Sequence, residues 1–191
     1  MSCELTRLMD YPRTKILFSL LYSAISGVQM TETELMDCSV ELIPDLLKIA
    51  IKHDVANLLA WGLKQNTIKI KDEGNIQKHI LMSAYRCERL QYEYENLCQI
   101  LEQRKIQFLP LKGAIIRKFY PEAWMRTSSD IDILVREEDV EIAKSLLIDE
   151  YGYNYYVKGS HDISLISPSG IHIELHYDLV ENGVANKASI D

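Results

Sequence analysis

The chain has 191 residues, 47% of them hydrophobic and 26% charged, with a net charge of −7 and a sequence pI of about 5.3. That is globular composition, enough for one large domain or two small ones. The negative balance argues against a nucleic-acid polymer as partner, because phosphate backbones are held largely by Lys and Arg.

From the N-terminus, no basic segment followed by an apolar core and a small-residue cleavage site is present, so no secretory leader is read there. The most apolar early run, from Ile16 to Val28, is too short to span a bilayer and contains Ser and Tyr. Ile16, Leu20, Ser23 and Ala24 give it one amphipathic face instead. A second helix is expected from about Glu41 to Gln65, with Pro44 near its start, where a missing N–H is tolerated. Leu46, Ile49, Ala50 and His53 share a face within it. KDEGN (Lys71 to Asn75) reads as a polar loop. A long helix follows from about Ile76 to Lys105, with Leu90, Tyr94, Leu97 and Leu101 as its stripe. Tyr85, Tyr92 and Tyr94 are read as packing residues rather than as the lining of a ligand pocket.

The pattern changes at Ile106. IQFLPLKG is a short strand, with Pro110 suited to an edge, and AIIRKFYPEA is a short helix closed by Pro121. DIDILV is a strand. REEDVEIAKSLLIDEYG is a helix with acidic residues in its first turn and Gly152 at its end. YNYYVKG, HDISLIS and IHIELHYDL are three β runs, and SPSG (Ser167 to Gly170) makes a hairpin of the last two. The expected fold class is therefore α+β: a helical portion over 1–105, then a mixed β-sheet core with flanking helices over 106–180. Residues 181–191 carry little apolar material and read as a tail or as a truncation within a longer chain.

The cysteines Cys3, Cys38, Cys87 and Cys98 show no CxxC pairing. Neither a metal knuckle nor a disulfide framework is expected, and the protein is read as soluble in a reducing cytoplasm, with no membrane partner.

Two strands carry the chemistry. Side chains alternate along a strand, so in DIDILV Ile131, Ile133 and Val135 share one face while Asp130 and Asp132 share the other. The two aspartates are then about 7 Å apart along the backbone and project the same way. In IHIELHYDL, Ile171, Ile173, Leu175 and Tyr177 lie on one face; His172, Glu174, His176 and Asp178 lie on the other. If the two strands are close, Glu174 completes a three-carboxylate site, and hard oxygen ligands of that kind prefer Mg²⁺ or Mn²⁺. Upstream, LKG (Leu111 to Gly113) sits between a strand and a short helix, where a glycine and free N–H groups can face a phosphate and Lys112 adds charge. No Walker sequence and no GxGxxG occurs.

The segment from roughly Phe108 to Leu179 resembles the nucleotidyltransferase superfamily, with its hG[GS], Dh[DE]h and h[DE]h pattern. It is most similar to a bacterial branch labelled uncharacterised nucleotidyltransferases, through LKGA, FYPEAWMR, SSDIDILV and HIELHYDL. The resemblance implies transfer of a nucleoside monophosphate from an NTP, ATP included, to a hydroxyl of a small molecule or protein. It implies Asp130, Asp132 and Glu174 as catalytic and metal-binding residues. Lys112 and Gly113 would hold the triphosphate; Ser129, at the strand entry, would belong to the same nucleotide site, and Arg126 would either reach a phosphate or pin the loop before the strand. Ala114 departs from the usual Gly or Ser, and Glu174 from the usual Asp. Ala114 leaves open a second reading, a non-catalytic nucleotide-binding or interaction module. A third reading takes His172, Glu174 and His176 as transition-metal ligands of a metallohydrolase; His176 is otherwise placed beside the site or on the surface. His161 and Asp162 are read as surface residues, with a role in the pocket as the alternative. Nothing in the sequence fixes an oligomeric state.

Overall fold

The computed structural model describes residues 12–179; Cys3 and the 181–191 tail lie outside them. The chain is α+β, helical at first and then built on a five-stranded mixed sheet. No helix among the described residues is long and apolar enough to cross a membrane. Contacts divide the chain into two compact units. One runs up to Tyr85 and takes in Tyr120–Thr127; the other holds Arg86–Phe119 and the residues from Ser128 on.

The first unit contains α1 (Pro12–Ser26), α2 (Glu32–Asp37), a 3₁₀ turn (Val40–Leu42), α3 (Ile43–Lys52), α4 (Ala56–Gln65) and the start of α5 (Glu73–Gln103). Ile16, Leu20, Leu46, Ala50, Leu59 and Leu63 form its core, as the apolar spacing of α1 and α3 predicts. The single helix expected over 41–65 is instead two, because Asp54 adopts a positive φ of 53°. One left-handed residue cannot continue a right-handed helix. The KDEGN loop is likewise corrected: α5 starts inside it, and the Asp72 carboxylate accepts the Asn75 N–H at 3.1 Å. Asp, Asn and Gly serve loops and helix caps equally well, which is why the two were not distinguishable by composition.

Close packing of α1 on α4 depends on Gly62. A Cβ there would stand 2.4 Å from the Leu20 carbonyl oxygen, a backbone atom that cannot rotate away. Gly62→Ala should cost about 1–3 kcal/mol, the usual penalty for forcing atoms into a filled core. A lowered thermal midpoint checks it; an unchanged midpoint would show that the two helices separate freely.

In the second unit the strands are β1 (Phe108–Pro110), β2 (Asp130–Val135), β3 (Asn154–Lys158), β4 (Asp162–Ile166) and β5 (His172–His176), in sheet order β1-β2-β5-β4-β3. β2 and β5 are parallel and every other pair is antiparallel. Between the strands lie α6 (Gly113–Ile116), 3₁₀ turns at Arg117–Phe119 and Ala123–Met125, and α7 (Glu137–Tyr151); the second of these turns falls within the first unit. Pro110 does sit on an edge strand, and SPSG does join β4 to β5, with Gly170 N–H donating to Ser167 O at 2.9 Å. Glu93 of α5 anchors that hairpin, accepting from Tyr153 Oη and Ser169 Oγ, each at 2.6 Å.

The sheet's two faces differ. Ile131, Ile133, Val135, Ile163, Leu165, Ile173 and Leu175 pack with Leu90, Leu97 and Leu101 of α5 and Val140, Ala143 and Leu147 of α7. A core of that size fixes the strand registers, since a one-residue slip would bury the polar face instead. Asp130, Asp132, Glu174 and His176 lie on the opposite face.

Candidate metal and nucleotide site

The parallel register sets Asp132 beside Glu174 and Asp130 beside His172. The alternation read from the sequence thus becomes convergence of side chains from two neighbouring central strands. Asp132 is only 4% exposed. Its Oδ1 accepts from Lys112 Nζ at 3.0 Å and lies 3.0 Å from His176 Nε2. His176 Nε2 is also 3.2 Å from Glu174 Oε2.

These contacts set the proton affinities. Burial raises the Asp132 carboxyl, but hydrogen bonds from His176 and Lys112 outweigh it and bring it down to about 2. Glu174 is shifted the other way, by burial first and then by its hydrogen bond to, and charge repulsion from, Asp132. The hydrogen bond to Asp132 raises both His176, against burial, and Lys112, against a smaller desolvation effect. Two neighbouring carboxylates are thus pushed apart in proton affinity, a pattern that marks a candidate site for acid–base or metal chemistry.

Among the described residues, Asp132, Glu174 and His176 bring one ligand atom each within 4.8 Å of one another. That spacing lets a single divalent ion touch all three, and the two carboxylates suit Mg²⁺ or Mn²⁺. Asp130 shares the face but is not part of this group, and no side chain hydrogen-bonds to it among the described residues. His172 is also outside it: its Nδ1 stands 3.7 Å from Glu174 Oε1, and its ring meets Tyr156 edge-on. The trio that could bind an ion therefore differs both from the three carboxylates and from the His-Glu-His set.

Lys112 precedes α6 with φ of 36° and ψ of −106°, a region that non-glycine residues rarely occupy. Strain of this kind persists only where the surrounding structure holds it, and the Lys112 ammonium pairs with Asp132. Gly113 is buried, and a Cβ there would be 3.3 Å from Ser128 Oγ. Ser128 is the serine turned toward the glycine, whereas Ser129 is exposed. Arg126 belongs to the other unit, where its guanidinium donates to the Thr127 carbonyl.

Arg117 was not singled out by any motif. It is 7% exposed, donates to Ser128 Oγ at 2.7 Å, and comes within 3.8 Å of the position of a Gly113 Cβ. Its Nε has no hydrogen-bond partner, and among the described residues no carboxylate pairs with it. A buried guanidinium without a counter-charge is costly, so a phosphate beside Gly113 would complete it. An arginine in an apolar short helix, four residues after the turn glycine, was the only sequence signal for it.

His176, expected beside the site or on the surface, is buried within it, and His161 is drawn in with it. The two rings stack at 5.6 Å and 29°. The ladder explains this, for the His161 carbonyl accepts the Tyr177 N–H at 3.0 Å and so extends the β4–β5 pairing beyond β4. Asp162, also read as surface, is half-buried and accepts from Ser164 Oγ at 3.2 Å.

A family model described as "Uncharacterised nucleotidyltransferase" matches residues 41–190. No curated protein and no solved structure matches the chain.

Proposed function

The chain belongs to the family of uncharacterised nucleotidyltransferases, and on that premise we propose that it moves a nucleoside monophosphate from an NTP to a hydroxyl of a small molecule or protein. The observation that carries this reading is the in-register meeting of Asp132 and Glu174 on parallel strands, with Lys112 of the LKG turn bonded to Asp132. The catalytic core is taken to span 106–180.

Asp132 and Glu174, with Asp130 on the same face, would hold Mg²⁺ or Mn²⁺. Such ions supply charge neutralisation and in-line alignment of attacking and leaving oxygens. Lys112, the N–H groups after Gly113, and Arg117 supported by Ser128 would hold the triphosphate, with Ser129 at the strand entry. The acceptor oxygen attacks the α-phosphorus, the bond to the bridging oxygen breaks, and pyrophosphate leaves. Glu174 accepts the acceptor's proton; its raised proton affinity suits a base of this kind. The cytoplasm is the proposed compartment, supported by free thiols at Cys38, Cys87 and Cys98.

Pyrophosphate release from the four NTPs with Mg²⁺ or Mn²⁺ and a panel of hydroxyl acceptors tests the reading. Release that disappears in the Asp130→Ala, Asp132→Ala double variant is the expected result. Metal-dependent NTP binding with no release would favour the second reading, a binding module, which Ala114 supports by placing a methyl where the family motif has Gly or Ser. Arg117→Met should weaken NTP binding by about 10-fold or more, the value of a charge-assisted hydrogen bond. Equal NTP affinity in the variant, measured by calorimetry, would make Arg117 a packing residue only.

A further inference from the structure

Resting on the metal–nucleotide reading above, we propose that His176 binds the divalent ion directly through Nε2, and that the site therefore favours Mn²⁺ over Mg²⁺. Two nitrogen-bearing side chains stand at Asp132 Oδ1, and they differ in freedom. The Lys112 side chain is 62% exposed and can withdraw; the His176 side chain is 5% exposed. His176 is fixed by β5, by the stacked His161 ring and by burial.

Its Nε2 stays 3.0 Å from Asp132 Oδ1 and 3.2 Å from Glu174 Oε2. An ion bound to both oxygens, at the usual distance of about 2.0–2.3 Å, has that nitrogen in its immediate neighbourhood. Asp132, Glu174 and His176 thus present one ligand atom each to the same small volume, and the imidazole is the third ligand. His172 has no such part, being outside the group of close ligand atoms.

Imidazole is a favourable ligand for ions softer than Mg²⁺, which demands oxygen and keeps its water. Mn²⁺ accepts both carboxylate and imidazole, so one nitrogen in the set shifts the preference without excluding nucleotide chemistry.

Pulsed EPR of the full chain with Mn²⁺ alone reads the nitrogen directly. The expected result is a ¹⁴N coupling from one imidazole, converted to ¹⁵N in protein labelled at histidine, and absent from His176→Asn. That variant should bind Mn²⁺ at least about 10–100-fold more weakly, the loss metal sites show when only an outer-shell partner of a ligand is removed, with Mg²⁺ affinity changed far less. Bound Mn²⁺ with no imidazole coupling in the wild-type chain overturns the assignment, whether or not the variant folds. So does a wild-type chain that binds no Mn²⁺ or prefers Mg²⁺. Nucleotide transfer without the coupling sinks only the His176 role, whereas the coupling without any NTP binding sinks the transferase reading and leaves the ligand in place.

Discussion

Asp132→Asn should abolish metal-dependent NTP binding and lower nucleotide transfer by at least about 100-fold, since even residues that merely support a metal ligand cost 10–100-fold. The substitution keeps the shape of the side chain and removes the charge to which Lys112 and His176 are bonded. Its effect on stability has a defined sign. Asp132 titrates at about 2 in the fold, below its unfolded value of 3.8. Its contribution is therefore present above pH 3.8 and is lost as the pH falls toward 2. The wild-type chain should be the more stable at neutral pH, with the gap to Asp132→Asn closing in acid. Retained transfer would show that another carboxylate carries the reaction.

Glu174→Gln should separate activity from stability. Transfer should fall by about 100-fold or more, the upper part of the usual contribution of a general base. The fold should become more stable near neutral pH, because the proton affinity of Glu174 is raised above the unfolded value by burial and by Asp132. For a group shifted in that direction, ionisation opposes folding. The wild-type chain holds its stability below the unfolded carboxyl value of 4.5 and loses it as the pH rises through the folded one. Thermal midpoints of the two proteins should coincide below about pH 4 and diverge above it, with the variant higher. A variant that is less stable at pH 7 would mean that the 3.2 Å contact with His176 outweighs the repulsion.

Much of the second unit was legible because β-strands have a period of two. DIDILV and IHIELHYDL each split into an apolar and a polar face, and burial of Ile131, Ile133, Ile173 and Leu175 follows that split. Gly152 with φ of 71° at the end of α7 and acidic residues at its start were equally readable. Pairing was not. Nothing in the strand sequences states that β5 lies parallel to β2 with Asp132 opposite Glu174, a fact set by β3 and β4 taking the outer positions and leaving the place beside β2 to β5.

That register decides what joins the site. It sets Asp132 opposite Glu174 and Asp130 opposite His172, and His176 comes within reach of both Asp132 and Glu174. Long-range contacts also explain the burial of Asp132, since Lys112 and His176 close over it. Arg117 and Ser128 escaped notice for a different reason. A serine and an arginine in a loop and a short helix are ordinary, and only their 2.7 Å bond behind Gly113 marks them. In the first unit the break at Asp54 was hidden because its flanking residues keep the helical apolar spacing through a single left-handed turn.

The central claim, a metal-dependent nucleotide site at Asp132 and Glu174, is tested most directly by titrating each NTP into the full chain by calorimetry, with Mn²⁺, with Mg²⁺ and with chelator. At least one NTP should bind with a divalent ion, bind about 10-fold or more weakly without it, and fail to bind to Asp132→Asn. NTP binding that is equally tight in chelator, or unchanged in Asp132→Asn, would contradict the account.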